Sequence, residues 1–298
     1  MKRGPITGTF IDEITYDIPS SNWTKEQWKA DLDNMIDIGI DTLIFIRGGF
    51  EDQTIYPSKV FHTEYTDDFA GFILEEATKR NMDVYFGLYI SNLTWNNGDA
   101  VGEIRKNKCF IDEVWHRYGQ FPSFKGWYIP HETCCNELNI SEVMGGLSAM
   151  CKDKTPDKKV IISPFFKTDI TCPGAALTPQ QHYEEWDYIF SKAGKTIDIC
   201  AFQDGTSTIS RFDEYFGLTA QLCKKYSIQH WVNAETFYRD VRNLYYPISF
   251  PILQRRLEHH KKYAEKIITF EFSHFLSPQS IYPSASGLNN LYRAYYNL

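Results

Sequence analysis

The sequence predicts a (β/α)8 barrel, the TIM-barrel architecture, formed as a single domain by residues 1–298. The chain length of 298 residues suits an α/β barrel of about 250 residues with loop insertions. A short apolar run, a polar loop and a segment of 3.6-residue periodicity recur eight times in strict alternation. No linker or break in composition divides the chain. An open doubly wound sheet is the alternative, disfavoured because no glycine-rich phosphate-binding fingerprint follows the first strand.

The first two strands and the helix between them carry clear local signals. The first strand is predicted over Ile6–Ile11. A helix then starts after Thr24, which forms a capping-box pair with Gln27, and Gly39 stops it. The second strand, residues 42–46, is almost wholly apolar, as expected for a parallel strand covered on both faces.

The remaining units repeat this alternation. The other six strands are predicted at residues 84–89, 126–130, 160–163, 197–202, 230–233 and 267–272. Apolar residues at helical spacing mark the other seven helices, around residues 69–77, 100–118 and 143–150, after Thr178 and Pro179, and around 212–222, 252–257 and 288–295. Pro179 suits a first helical position, where its missing N–H is harmless.

Composition excludes several functional classes. Hydrophobic residues make up 43% and charged residues 23%, which is the balance of a soluble globular domain and argues against disorder. The net charge of −7 argues against a nucleic-acid partner, because a basic stripe is needed to track the phosphate backbone. No window holds the roughly 18 consecutive apolar residues of a membrane span.

Two glutamates occupy the strand ends where a barrel of this kind performs its chemistry. Glu132 closes strand four and Glu235 closes strand seven, so we expect them to face each other across the mouth. Hydrolysis of a glycosidic bond needs such a pair. One carboxyl protonates the leaving oxygen while the other, ionised, attacks or stabilises the anomeric carbon.

These positions carry a resemblance. A glutamate closing strand four and another closing strand seven resembles clan A of the glycoside hydrolases, the retaining barrels called the 4/7 superfamily. The segments FIDE at 10–13, IPSSNW at 18–23 and GWYIPHE at 126–132 are similar to a barrel family of unknown function. That family is found mainly in gut bacteria and is grouped with the glycosidase barrels.

The resemblance implies a retaining hydrolase of oligo- or polysaccharides that needs no cofactor. Glu132 would be the acid/base, with a pKa on the order of 6, and Glu235 the nucleophile. Arg47 matches the arginine that clan members place beside the nucleophile, where it would help to keep Glu235 ionised. The chain departs from the clan in having His131 where an asparagine is usual, and phenylalanines where tryptophan usually follows strand eight. An exported enzyme, periplasmic or at the cell surface with its signal segment removed, is implied; a cytoplasmic location is the alternative.

Other residues at the strand ends are candidates for substrate binding. They are Glu13, Arg47, Tyr89, Trp95, His131, Gln203, Asp204, Tyr238 and His274. Tyr238 belongs to a long aromatic insertion and could stack on a sugar, with internal packing as the alternative. Two other functions stay open: a carbohydrate-binding barrel without catalysis, and a barrel hydrolase or lyase centred on Glu13 and Asp204.

Cysteine and histidine spacing argues against a metal site. The seven cysteines form no CxxC pair, and the first strand lacks the His-x-His of metal-dependent hydrolase barrels. We expect free thiols, with a disulfide from Cys134 or Cys135 to Cys172 as the alternative. His259 and His260 are expected to be surface or packing residues of the seventh helix.

Overall fold

A computed structural model describes residues 3–14, 19–61, 67–240, 242 and 244–298. Its centre is a closed ring of eight parallel strands in chain order, with the eighth strand pairing with the first. The strands are β1 (Ile6–Ile11), β2 (Thr42–Phe45), β3 (Asp83–Gly87), β4 (Phe124–Ile129), β5 (Lys159–Ile162), β6 (Ile199–Gln203), β7 (Gln229–Asn233) and β8 (Lys266–Thr269). The predicted barrel is confirmed, and closure of the ring rules out the open sheet.

One long helix follows each strand on the outside of the ring. In the described part of the chain these helices are α1 (Lys25–Ile38), α2 (Phe69–Lys79), α3 (Ala100–Tyr118), α4 (Ile140–Lys154), α5 (Pro179–Ala193), α6 (Phe212–Tyr226), α7 (Phe250–His260) and α8 (Pro283–Tyr296). No helix among the described residues has both the length and the apolar character needed to cross a membrane.

Two predicted helix starts use the same cap. Thr24 accepts a hydrogen bond from the Gln27 N–H while the Gln27 side chain accepts one from the Thr24 N–H. Thr178 and Gln181 repeat this arrangement at the start of α5, with Pro179 as its first residue. A capping side chain of this type stabilises a helix by about 1 kcal/mol. Gly39 ends α1 in the left-handed conformation, with φ of 100°, which a residue with a side chain rarely adopts.

The core has two apolar layers separated by the barrel wall. Inside the barrel lies a cluster that includes Phe10, Tyr85, Tyr128 and Trp231. The second, larger cluster fills the space between strands and helices. Because both faces of every strand are covered, the strand sequences are nearly continuous apolar runs. They do not alternate apolar with polar residues, as a strand with one face in water would.

The end of β8 differs from the sequence prediction. The strand stops at Thr269 instead of continuing to residue 272, and the Phe270–Glu271 peptide bond is cis. A short helix, Phe272–Phe275, follows directly. The backbone here bonds to neighbouring strand ends: the Phe272 N–H donates to the Thr9 hydroxyl (2.9 Å), and the Thr236 hydroxyl donates to the Glu271 carbonyl (3.0 Å).

The insertion after β7 is a small hairpin. Phe237–Arg239 pairs in antiparallel fashion with Tyr245–Pro247, and Tyr238 lies opposite Tyr246. Two residues of the intervening turn, 241 and 243, and the first residue of the 18–23 segment lie outside the described residues. All seven cysteines are free thiols; the Sγ atoms of Cys134 and Cys135 are 3.8 Å apart.

Candidate active site

An open cleft of about 1050 Å³ lies at the carboxyl ends of the strands. Glu132 and Glu235 both line it, so the structure brings the two predicted catalytic carboxylates together. Four other candidates also line this cleft: Arg47, Gln203, Tyr238 and His274. A volume at the upper end of the range for small-molecule sites leaves room for more than a single sugar.

Glu235 is held tightly at the end of β7. Its N–H donates to the Asp204 Oδ1 atom at 3.0 Å, and the residue as a whole is only 8% exposed. Gly205 lies against its carboxyl group so closely that a Cβ atom there would overlap Oε2 and lie 2.9 Å from Oε1. A glycine is therefore needed at position 205 to leave room for the glutamate.

The electrostatic surroundings of Glu235 favour its protonated form. Burial raises the pKa of Glu235 to about 8, and the negative charges of Asp204 and Glu132 act in the same direction. The guanidinium groups of Arg256 and Arg239 oppose this increase. Arg47 was expected to hold Glu235 ionised, yet in the structure its charge lowers the pKa of Glu132. The pKa of Glu235 is lowered by Arg256 and Arg239 instead.

We expect Glu235→Gln to be more stable than the native protein at pH 7.5 and similar to it at pH 4. The folded-state pKa of about 8 exceeds the ordinary 4.5, so the folded state retains a proton that the unfolded state releases. The free energy of unfolding therefore falls as the pH rises from about 4.5 to 8, and this loss disappears when glutamine replaces the carboxyl. The difference could reach a few kcal/mol.

Urea unfolding at both pH values measures this difference. Glu142→Gln, at an exposed position of α4, is the matched control and should show no such pH-dependent gain. Glu13, whose pKa burial also raises to about 8, is present in both variants and cancels from the comparison. Equal stability changes at pH 4 and 7.5 would show that Glu235 is not the titrating group.

Glu132 follows β4 and is exposed to the cleft, although protein surrounds it closely on its other sides. Burial by these surroundings raises the pKa of Glu132, while the charge of Arg47 and a hydrogen bond from Gln203 oppose the increase. Ionising either glutamate raises the pKa of the other, because each carboxylate feels the other's charge. Their mutual repulsion therefore disfavours the state in which both carboxyls are ionised.

A charged cluster lies behind Glu235. Asp204 is completely buried and accepts hydrogen bonds from Arg256 Nη1 (2.9 Å) and His260 Nε2 (2.7 Å). Burial alone would raise the pKa of Asp204, but Arg256 and His260 lower it below its usual value. Asp204 is one of the predicted substrate-binding residues, yet it lies outside the cleft lining, and both of its oxygens already have partners.

A second cluster joins the ends of β1 and β8. The Ser20 hydroxyl donates to Glu13 at 2.7 Å and lies 3.0 Å from His274 Nε2, while His274 Nδ1 pairs with Glu271. Burial would lower the pKa of His274, but the carboxylates of Glu271, Asp12 and Glu13 raise it. His274 and Asp12 line the cleft, whereas Glu13 is not among its lining residues.

Three further predicted binding residues, besides Asp204 and Glu13, lie away from the cleft lining. His131 is buried and donates to Glu103 Oε1 at 2.8 Å, and Trp95 packs edge-on against its ring at 5.1 Å. Tyr89 is buried too, and its hydroxyl donates to the Glu51 carbonyl at 2.8 Å. Their roles in substrate binding stay predictions, and the structure gives each of them an internal partner.

Sequence reasoning missed several residues of the site. Arg256 and His260 were not selected, although their spacing of four places both on one face of α7, which could have marked them as a pair. His260 is buried, as a packing residue would be, but it also bonds to Asp204. Glu271 was assigned to the interior of strand eight, and no sequence signal marks Gly205 as a contact of Glu235.

The hairpin and the loop after β8 form an aromatic wall along one side of the cleft. Tyr238 is half exposed and stacks on Tyr246, with ring centroids 5.5 Å apart. Phe275 and Tyr282 stack in the same way at 6.0 Å. Among the described residues, no group of three or more histidine, cysteine or acidic side chains is arranged to hold a metal ion.

Solved structures with a similar barrel come from carbohydrate-active enzymes. A Bacteroides thetaiotaomicron protein provisionally named an α-L-fucosidase is 40% identical, with a TM-score of 0.94 over 99% of this chain and 94% of that one. An intracellular xylanase of Thermoanaerobacterium saccharolyticum is 12% identical, with a TM-score of 0.56 over 90% and 85% of the two chains. A β-galactosidase of Marinomonas ef1 is 10% identical, with a TM-score of 0.61 over 92% of this chain and 54% of that one.

The two distant enzymes share the fold alone with this chain, whereas the Bacteroides protein is a close relative over the whole length. The resemblance to glycosidase barrels that the sequence indicated is thereby confirmed at the level of fold. No curated protein matches the sequence. The family described as a domain of unknown function, DUF4434, matches residues 6–282. Because this match spans nearly the whole chain, the protein belongs to the DUF4434 family.

Proposed function

We propose that the protein is a glycoside hydrolase that cleaves O-glycosidic bonds with net retention, with Glu132 as acid/base and Glu235 as nucleophile. The observation that carries the proposal is the position of the two carboxyl groups. They enter one cleft from the ends of β4 and β7, and each lies within electrostatic range of the other. The glycosidase names of the structural neighbours support the same reaction class.

The proposed reaction has two steps. In the first, Glu235 attacks the anomeric carbon while Glu132 transfers its proton to the leaving oxygen, which gives a glycosyl ester on Glu235. In the second, Glu132 takes a proton from water, and that water displaces Glu235. Two inversions at the same carbon give net retention.

In the free protein, burial and the neighbouring negative charges favour the protonated form of Glu235, so the proposed division of labour requires the bound substrate to shift the proton to Glu132. A pair of carboxyls that retains one proton supplies one acid and one base at neutral pH. A substrate that develops positive charge at its anomeric carbon would stabilise ionised Glu235 and leave the proton with Glu132. Arg256 and Arg239, whose charges lower the pKa of Glu235, act in the same direction as the substrate.

The cleft suggests an oligo- or polysaccharide substrate. Its aromatic wall offers the faces of Tyr238 and Tyr246 to the apolar face of a sugar ring, and polar groups such as Gln203 and Asn233 lie deeper. The provisional name of the 40% identical relative makes an α-L-fucoside the first substrate to test. The competing assignment to Glu13 and Asp204 finds little support, because neither carboxylate lines the cleft.

The test combines product stereochemistry with trapping of the intermediate. The enzyme is incubated with a panel of aryl glycosides that begins with 4-nitrophenyl α-L-fucopyranoside, and proton NMR identifies the anomer released first. We expect the substrate's own anomeric configuration. A 2-deoxy-2-fluoro analogue of the substrate found should then label Glu235, as identified by peptide mass spectrometry.

Each contrary result has a defined meaning. Release of the opposite anomer would replace retention by inversion, and a label on another residue would remove Glu235 as the nucleophile. Saccharide binding without turnover, even at high enzyme concentration, would favour a carbohydrate-binding barrel. Activity that survives the loss of both Glu132 and Glu235 would place the chemistry elsewhere.

A further inference from the structure

The Asp204 carboxylate is a buried junction between three elements. Its Oδ1 atom accepts the Glu235 N–H at 3.0 Å and Arg256 Nη1 at 2.9 Å, and its Oδ2 atom accepts His260 Nε2 at 2.7 Å. Asp204 follows β6, Glu235 follows β7, and the other two residues lie on α7. The side chain is 0% exposed, so substrate has no access to it.

Arg256 bonds to Glu235 as well as to Asp204. Its Nη1 atom donates to the Glu235 carbonyl at 3.1 Å, in addition to Asp204 Oδ1. The backbone of Glu235 is thus held at its N–H by Asp204 and at its carbonyl by Arg256. His260 packs against Phe212, with ring centroids 5.0 Å apart, and this contact fixes the ring that bonds to Asp204.

We propose that Asp204 and Arg256, supported by His260, are positioning residues that fix the backbone and carboxyl group of Glu235 for nucleophilic attack. Their catalytic meaning rests on the proposed function, but their action on Glu235 does not. The hydrogen bonds set the direction in which Glu235 enters the cleft, while Gly205 limits where its carboxyl group can lie. A misplacement of about 1 Å can cost an enzyme about 100-fold in rate.

Asp204 and Arg256 also act on Glu235 with opposite charge. The charged groups that face Glu235 are Asp204 after β6, Glu132 after β4, Arg256 on α7 and Arg239 on the hairpin. Asp204 raises the pKa of Glu235, and Arg256 lowers it. Removing the two charges separately should therefore move the pKa of Glu235 in opposite directions, which a loss of packing alone would not do.

The experiment follows the Glu235 carboxyl directly by carbon-13 NMR of protein labelled at glutamate side chains. The spectrum of Glu235→Gln assigns the resonance, and no substrate is needed. We expect Asp204→Asn to lower the pKa of Glu235 by about 1–2 units and Arg256→Met to raise it by a similar amount. Arg256→Lys, which keeps the charge, should leave the pKa close to that of the native protein.

The chain offers a matched control at the opposite end of β6. Asp198 also accepts a backbone N–H, from Val160 at 2.7 Å, and pairs with Lys152 at 2.7 Å. Asp198→Asn thus removes an equivalent pair of interactions far from Glu235, and it should leave the titration of Glu235 unchanged. Thermal melts of all variants show which of them fold. If Asp204→Asn does not fold, the comparison of Arg256→Met with Arg256→Lys still tests whether the charge at position 256 sets the pKa of Glu235.

Kinetics with an active glycoside complete the test. Asp204→Asn and Arg256→Met should lower kcat by about 100-fold with little change in KM, and Arg256→Lys should recover part of that loss. Shifts of the Glu235 pKa in the same direction in both variants, or no shift in either, would overturn the proposal. Shifts as expected in a protein that hydrolyses no glycoside would leave the positioning intact and remove the proposed function instead.

Discussion

Glu235→Gln is expected to lower kcat on any active glycoside by about 10⁴-fold, whatever the leaving group. Glutamine keeps the shape of the side chain but cannot form the ester on which a retaining mechanism depends. Losses of this order are typical when a catalytic nucleophile is removed. Steady-state rates with a 2,4-dinitrophenyl glycoside and with an alkyl glycoside of the same sugar give the measurement.

Glu132→Gln should behave differently with these two substrates. Loss of a general acid costs about 10²- to 10⁴-fold, but dinitrophenolate leaves without being protonated, so formation of the intermediate from that substrate should be nearly normal. With the alkyl glycoside, whose leaving group must be protonated, formation of the intermediate should be slowed by this whole factor. Glu137→Gln, at an exposed position outside the cleft lining, is the control and should retain native rates. A near-native rate of either cleft variant on the alkyl glycoside, or the same response to the leaving group in both variants, would contradict the assigned roles.

Gly205→Ala is expected to lower kcat by about 100-fold or more while the barrel stays folded. The added Cβ atom would overlap the Glu235 carboxyl, so the carboxyl has to move. A displacement of about 1 Å is enough for such a loss. The φ angle of Gly205 lies outside the left-handed region, so alanine meets no backbone strain, and the effect is purely one of space.

Gly287→Ala is the control for this substitution. A Cβ atom at position 287, on α8, meets nothing within 4 Å. Alanine there should leave kcat unchanged and raise the free energy of unfolding by up to about 1 kcal/mol, because it favours the helix. A native kcat for Gly205→Ala would mean that the position of the Glu235 carboxyl is not critical for turnover.

The strand–helix alternation of the sequence was enough to predict the barrel and to locate its strand ends. Periodic apolar positions and capping pairs such as Thr24 with Gln27 are local signals, because they depend on residues a few positions apart. The placement of Glu132 and Glu235 in one cleft was predictable for the same reason. The carboxyl ends of the strands of a barrel converge at one mouth, whatever the length and conformation of the loops.

The tertiary structure alone decided which groups surround these carboxylates. Arg256 and His260 reach Asp204 from α7, about fifty residues along the chain, and no local pattern encodes such a contact. His131 follows the same strand as Glu132 but turns to Glu103 on α3. Side chains at neighbouring strand ends can point into the cleft or behind it. Packing and charge contributed by other elements decide between the two, and only the folded chain brings those elements together.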